Sequence, residues 1–173
     1  MSSYALEILA DCHDRAGFTS GLESVDRYLR ETARGHLAKG VSVTRILVEA
    51  DSPPPKTILG FFTLSSITVD AKDWPGSPKG LPKHPVSAVL LGRLAVAGSA
   101  RQRGIGSMLV ASARQFARET IHRTGGLGMI VDAADEDVAG FYTRFGFRRV
   151  TSESLRMFLP ASSLETGVEI PKG

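Results

Sequence analysis

The chemistry of this chain concentrates in Leu91-Gly92-Arg93-Leu94-Ala95-Val96 and, after a short gap, Arg101-Gln102-Arg103-Gly104-Ile105-Gly106-Ser107. An apolar strand ends, the chain turns, and glycines open a helix. A helix N-terminus presents unpaired N–H groups and the positive end of the helix dipole. Glycines let a phosphate approach that backbone closely, and Arg101 and Arg103 add charge. The turn is suited to a pyrophosphate. A P-loop would need Gly-Lys-Ser/Thr, yet Gly106 runs directly into Ser107. A dinucleotide fingerprint would need a third glycine, yet position 109 is Leu. The plainer alternative is a helix start with incidental glycines.

A second group lies downstream. Residues 135–147 read D-E-D-V-A-G-F-Y-T-R-F-G-F. Asp135 can cap a helix that carries Val138, Phe141, Tyr142 and Phe145, and Gly146 can stop it. Tyr142 offers a phenol able to give up a proton; its structural alternative is a half-buried aromatic on an amphipathic helix. Glu49, His84 and Asp132 are candidate bases, each with an ordinary structural role open to it. The single cysteine, Cys12, excludes an intrachain disulfide and a Cys-based zinc cluster, and reads as a packing residue. No metal is expected.

The elements that must position these groups follow in order. Residues 5–9 read as a strand. Leu22, Val25, Leu29 and Ala33 fall at helical spacing. Strands are expected at 43–49, 58–69 and 89–96, from their β-branched and aromatic content. The helix after the glycines carries Ile105, Met108, Leu109, Ala113 and Phe116 on one stripe. Strands at 129–132, 147–150 and 155–159 complete the series. Pro53 to Pro55 read as a stiff turn, and 74–85, with four prolines and two glycines, as a long excursion loop. The expected fold is α/β (mixed α+β): a mostly antiparallel sheet of six to seven strands with about four helices.

At 173 residues the chain is expected to form one domain, 1–173, with 161–173 as a peripheral tail. No apolar run approaches a membrane span and no secretory signal is visible, so a cytoplasmic location is expected. Net charge is +3, unevenly distributed. Residues 101–123 hold five arginines against one acid, and 141–156 four against one. Such asymmetry suits a polyanionic partner or, equally, a solvated arginine-rich face.

The loop at 101–106 resembles motif A of the GNAT N-acetyltransferases, R/Q-x-x-G-x-G/A, and the Leu-Ala-Val strand ahead of it sharpens the match. Phe141-Tyr142-x-x-Phe145-Gly146-Phe147 resembles motif B. The segment His13-x4-Phe18-x-x-Gly21-x3-Val25-Asp26-x-Tyr28-Leu29, with Val131-Asp132-Ala133 and Met157-Phe158-Leu159-Pro160, is similar to the TacT-like toxins of type II toxin–antitoxin modules. Arg101 departs from the Gln that many such loops carry.

The resemblance implies an acetyl-CoA-dependent enzyme that acetylates the α-amine of aminoacyl-tRNA and blocks translation. It implies that the backbone of Leu94, Ala95 and Val96 holds the pantetheine arm, with the Val96 N–H as oxyanion donor. Arg101, Gln102, Arg103, Gly104, Ile105, Gly106 and Ser107 would wrap the pyrophosphate, and Tyr142 would protonate the leaving sulfur. Arg93 is a candidate contact for the tRNA end, or a salt bridge within the sheet. A ribbon-helix-helix antitoxin, operator DNA through it, and a homodimer are the implied partners. A housekeeping acetyltransferase for small amines or protein N-termini, and a non-catalytic CoA-binding regulatory subunit, are the competing readings.

Overall fold

Extended, β-branched and aromatic segments become strands, and the residues between them set where each one stops. The computed structural model describes residues 3–165. In chain order the elements are β1 (Tyr4–Ile8), β2 (His13–Asp14), α1 (Glu23–Arg27), a π-helical turn (Tyr28–Thr32), α2 (Ala33–Ala38), β3 (Val43–Glu49), β4 (Lys56–Thr57) and β5 (Gly60–Val69). Then follow β6 (Val86–Val96), α3 (Ile105–Thr124), β7 (Gly128–Asp132), α4 (Glu136–Thr143), β8 (Arg148–Arg149), β9 (Arg156–Pro160) and α5 (Ala161–Leu164). Seven strands form a mixed sheet in the order β1-β3-β5-β6-β7-β9-β8, and β2 pairs in parallel with β4.

The chain gathers into two compact units. One comprises the chain up to Ser65 with Gly92–Val110; the other comprises Ser66–Leu91 and the chain from Ala111 on.

In the first unit β1 and β5 flank β3, both antiparallel to it. Strands β3 and β5 bury Ile46, Val48, Phe61 and Phe62, Phe61 and Phe62 on opposite faces, with Phe18 edge-on to Phe61 at 5.5 Å. Thr44 and Thr63 share a buried hydroxyl hydrogen bond of 2.7 Å. Asp26 at the start of the helical path is buried, and its carboxylate accepts from the Ser20 N–H and hydroxyl, the latter at 2.6 Å. That bond answers a buried charge that would otherwise be costly.

His13 is also buried. A backbone N–H can only donate, so the Ala10 N–H at 2.9 Å makes Nδ1 of His13 an acceptor. Nε2 then carries the proton and donates to Glu7 at 2.8 Å. The other Glu7 oxygen accepts from Lys56 Nζ at 2.6 Å. The hydrogen bond from Lys56, then that from His13, hold the Glu7 carboxyl below the usual carboxylate range.

In the second unit β6 pairs in parallel with β7, from Val89↔Met129 to Leu91↔Val131. β9 lies antiparallel to β7 and to β8. Gly128 allows this: a Cβ there would sit 2.1 Å from the Leu159 carbonyl oxygen. One core cluster joins Ala88, Ile130 and Phe158 to Trp74. The Trp74 ring stands edge-on to Phe158 at 5.2 Å. The proline-rich excursion is thus anchored by a buried indole.

Two expectations need correction. The chain after Pro160 is not simply a polar tail: Ala161–Leu164 is helical, Leu164 is buried, and Glu165 pairs with Arg118 and His122. Residues 166–173 lie outside the described residues. Arg114 is not solvated surface: it is buried and donates to the Phe145 and Ser163 carbonyls at 2.9 and 2.8 Å. The two-residue strands β2 and β4 were not foreseen, because their pairing is set by residues far apart in the chain.

Two outcomes follow from these contacts. Trp74→Ala is expected to cost about 3–5 kcal/mol of unfolding free energy in a denaturant titration. Glu7→Gln is expected to lower the Tm at neutral pH. Because the folded carboxyl is held low, its contribution is present above the unfolded pKa of about 4.3 and is lost as pH falls through the lower folded value. The Tm gap between wild type and Glu7→Gln should therefore close in acid.

Candidate active site

The start of α3 is pinned against β5. A Cβ on Gly60 would meet Leu109 Cδ1 at 2.9 Å, the Ala95 carbonyl oxygen at 3.0 Å and Ile105 Cγ2 at 3.1 Å. Only glycine lets the first turn of α3 and the end of β6 come this close together. No motif or periodicity singles out Gly60.

Strand β6 runs past its last pair with β7. That register ends at Leu91↔Val131, whereas β6 continues to Val96. Residues 92–96 are therefore extended backbone beyond β7's reach, the arrangement into which another extended, amide-bearing chain can pair. Ala95 is buried while Leu94 and Val96 are half-buried, so this stretch is held firmly. The Ala97 N–H donates to the Leu59 carbonyl at 2.8 Å, and the Gly98 N–H to the Thr19 carbonyl at 2.9 Å, which turn the chain toward the loop.

The loop then takes two left-handed residues, Gln102 at φ 66° and Gly104 at φ 72°. For Gln102 this conformation is unusual and strained. Alternating backbone conformations of this kind turn successive N–H groups inward and form an anion cradle. The first backbone bond of α3 runs from the Met108 N–H to the Gly104 carbonyl at 3.2 Å. The N–H groups of Ile105, Gly106 and Ser107 lie ahead of it, at the positive end of a 20-residue helix. Arg103 is exposed and has no partner among the described residues. The donor set fits a pyrophosphate.

Arg101 behaves differently from a simple phosphate ligand. Its Nη2 donates to the Ser20 carbonyl at 2.6 Å, across 81 positions of sequence. Gly21, at φ 92°, leaves room for it, since a Cβ there would come within 3.1 Å of Nη2. Arg101 therefore ties the loop to the Ser20–Asp26 corner. Arg93, expected either at substrate or in a salt bridge, is exposed and makes no ion pair among the described residues. Its guanidinium lies 4.0 Å over the Tyr28 ring.

All of these residues belong to the first unit; Tyr142 belongs to the second. Helix α4 is capped as its sequence implies, Asp135 accepting from the Val138 N–H at 2.9 Å, and Gly146 leaves it at φ 90°. Tyr142 is buried between Phe141 and Phe147, whose rings stand edge-on at 5.2 and 5.5 Å. Burial drives its phenol pKa well above the ordinary value, so the group stays protonated at neutral pH. Among the described residues nothing hydrogen-bonds its hydroxyl.

Two of the candidate bases are engaged in contacts of their own. Asp132 is clamped by Arg156 through bonds of 2.7 and 2.9 Å. Exposed His84 meets only its neighbour's carbonyl, Pro85, at 3.0 Å. Glu49 is exposed at the end of β3. The arginine excess is also smaller than the sequence suggests. Arg114, Arg118, Arg149 and Arg156 are bound to carbonyls or acids of the second unit. Arg123 and Arg144 are exposed without such partners among the described residues. Glu7, Cys12 and His13 place one possible metal-ligand atom each within 4.8 Å of one another, but Lys56 and the donating His13 N–H already occupy the carboxylate.

Comparison with known proteins supplies the lineage. The acetyltransferase (GNAT) domain family matches residues 45–149. The tRNA-acetylating toxin of Mycobacterium tuberculosis is 31% identical over 160 residues, 92% of this chain and 93% of that protein. The structure of AtaT complexed with acetyl-methionyl-tRNAfMet superposes with a TM-score of 0.84 at 27% identity, over 94% of this chain and 98% of that one. A tyrosine-to-phenylalanine mutant of AtaT, bound to acetyl-CoA and the C-terminus of the antitoxin AtaR, superposes at 0.78 with 25% identity, over 94% and 96%. The family match over more than half of the chain and the 31% identity over 92% of it show that this chain belongs to the GNAT acetyltransferases.

Proposed function

We propose that this protein is an acetyl-CoA-dependent N-acetyltransferase toxin that acetylates the α-amine of aminoacyl-tRNA, blocks translation and is neutralised by a cognate antitoxin. The observation that carries the acceptor is the 31% identity, spanning 92% of the chain, to a tRNA-acetylating toxin. The loop and strand geometry carries the donor.

Acetyl-CoA supplies an acetyl group activated as a thioester. On this reading Leu94, Ala95 and Val96 hold the pantetheine arm through their backbone, and the Val96 N–H steadies the developing oxyanion. Residues 101–107 hold the pyrophosphate through backbone N–H groups, Arg103 adding charge. Tyr142, kept protonated by burial, hands its proton to the departing sulfur. The AtaT mutant solved with acetyl-CoA carries phenylalanine for a tyrosine, which fits such a role.

No dedicated base is assigned. A free α-amino group titrates near pKa ~8, and esterification of the neighbouring carboxyl lowers it further. Such an amine is largely neutral at neutral pH, so positioning alone supplies much of the rate. A lysine side chain, near pKa ~10.4, would need a base. The hold of Arg156 on Asp132 and the contact of His84 with the Pro85 carbonyl therefore favour the α-amine.

One acetyltransferase domain over 1–173, a cytoplasmic location, a homodimeric state, a ribbon-helix-helix antitoxin and operator DNA reached through it complete the reading. No helix among the described residues is long and apolar enough to cross a membrane.

Two variants test the division of labour. Tyr142→Phe should lower kcat for acetyl transfer to charged tRNA by about a hundredfold or more, with acetyl-CoA affinity unchanged; an unchanged kcat would remove the general-acid role. Gly104→Val places a β-branched residue where φ is 72°. It should weaken acetyl-CoA binding by about tenfold in calorimetry, from the strain a positive φ imposes on such a side chain.

A further inference from the structure

The one arginine beside the 94–96 backbone is held in an uncommon way. Arg93 is exposed, has no acidic partner among the described residues, and lies with its guanidinium carbon 4.0 Å from the centre of the Tyr28 ring. A guanidinium laid over a ring keeps its edge N–H groups free to donate in one plane. The ring itself is fixed. Tyr28 is buried, and its hydroxyl meets Ser42 Oγ at 3.2 Å and His36 Nδ1 at 3.3 Å. His36 also stands edge-on to it at 5.7 Å. Tyr28 opens the π-helical turn Tyr28–Thr32, which interrupts an otherwise α-helical path from Glu23 to Ala38. Such turns are rare and recur at functional sites.

We infer that Tyr28 is a positioning residue that holds the Arg93 guanidinium over its ring, so that Arg93 clasps one backbone phosphate near the 3′ end of the acceptor tRNA. This rests on the proposed aminoacyl-tRNA substrate and extends it to a specific contact. The chemistry favours a phosphate. Planar paired donors match two phosphate oxygens, and an arginine kept free of acids has its charge available for them. Arg101 is the contrasting case, since one of its donors is already spent on the Ser20 carbonyl.

The experiment measures steady-state acetylation of a total charged-tRNA preparation, with labelled acetyl-CoA, over a range of salt. Arg93→Ala should raise the KM for charged tRNA by at least about tenfold, the scale of losing a hydrogen bond to a charged group. It should also make the slope of log affinity against log salt shallower by about 0.7, the value for one phosphate on a single strand. The KM for acetyl-CoA should not move. Tyr28→Leu should raise the tRNA KM by about two- to fivefold, the scale of an exposed cation–π contact. Tyr28→Phe, which keeps the ring, should restore it. The double variant Arg93→Ala/Tyr28→Leu should be no worse than Arg93→Ala.

Wild-type protein that acetylates charged tRNA, with KM and salt slope unchanged by Arg93→Ala, would overturn this inference and leave the proposed function standing. A Tyr28→Leu penalty of equal size in the Arg93→Ala background would overturn the positioning role, because it would be acting through the fold. Wild-type protein that leaves charged tRNA unlabelled would overturn both readings together.

Discussion

The contact at Gly60 is the constraint on which the donor site depends. There the backbone of β5 meets Ile105 and Leu109 of α3 and the Ala95 carbonyl at distances that exclude a methyl group. Packing this tight leaves the first turn of α3 no freedom to slide along β5. The helix N-terminus and the end of β6 are fixed to one another by the same atoms. Electrostatic stabilisation works only when the donors are already in place before charge develops. A buried, side-chain-free approach supplies that rigidity without putting a polar group at the contact. The strain at Gln102 and the left-handed Gly104 can persist because both ends of their loop are held, at Ala97 and at Ile105.

Charge in this protein is divided between holding and binding. Counting arginines along the sequence does not separate the two. Arg114 fixes the end of α4 and the start of α5 by donating to carbonyls. Arg149 and Arg156 are neutralised by Glu136 and Asp132. Among the described residues, Arg93, Arg103, Arg123 and Arg144 stay exposed without an acidic partner. Surface ion pairs such as Arg118–Glu165 contribute little to stability by comparison with the core.

The sequence was most legible where the cause is local. Asp135 caps α4 through a neighbour three residues on, and Gly146 ends it through its own backbone freedom. Val43–Glu49 reads as a strand from composition alone and is one. The glycine loop was legible because its function needs special backbone conformations, which only certain residues accept. What was hidden depends on partners distant in sequence. Trp74 sits among prolines and glycines, yet Phe158 gives its indole a place to be buried. The bond from Arg101 to the Ser20 carbonyl joins positions 81 apart. No periodicity in residues 22–33 announces a π turn, so the Tyr28–Arg93 stack was equally out of reach.

In the proposed function the acetyl group ends on the α-amine of an amino acid esterified to tRNA. The direct measurement is to incubate purified protein with labelled acetyl-CoA and total charged tRNA, digest the RNA, and identify the labelled product by mass spectrometry. Label is expected on N-acetylated aminoacyl-adenosine, and none on tRNA stripped of its amino acids. Label confined to small free amines or to protein, with charged tRNA untouched, would contradict the proposed function.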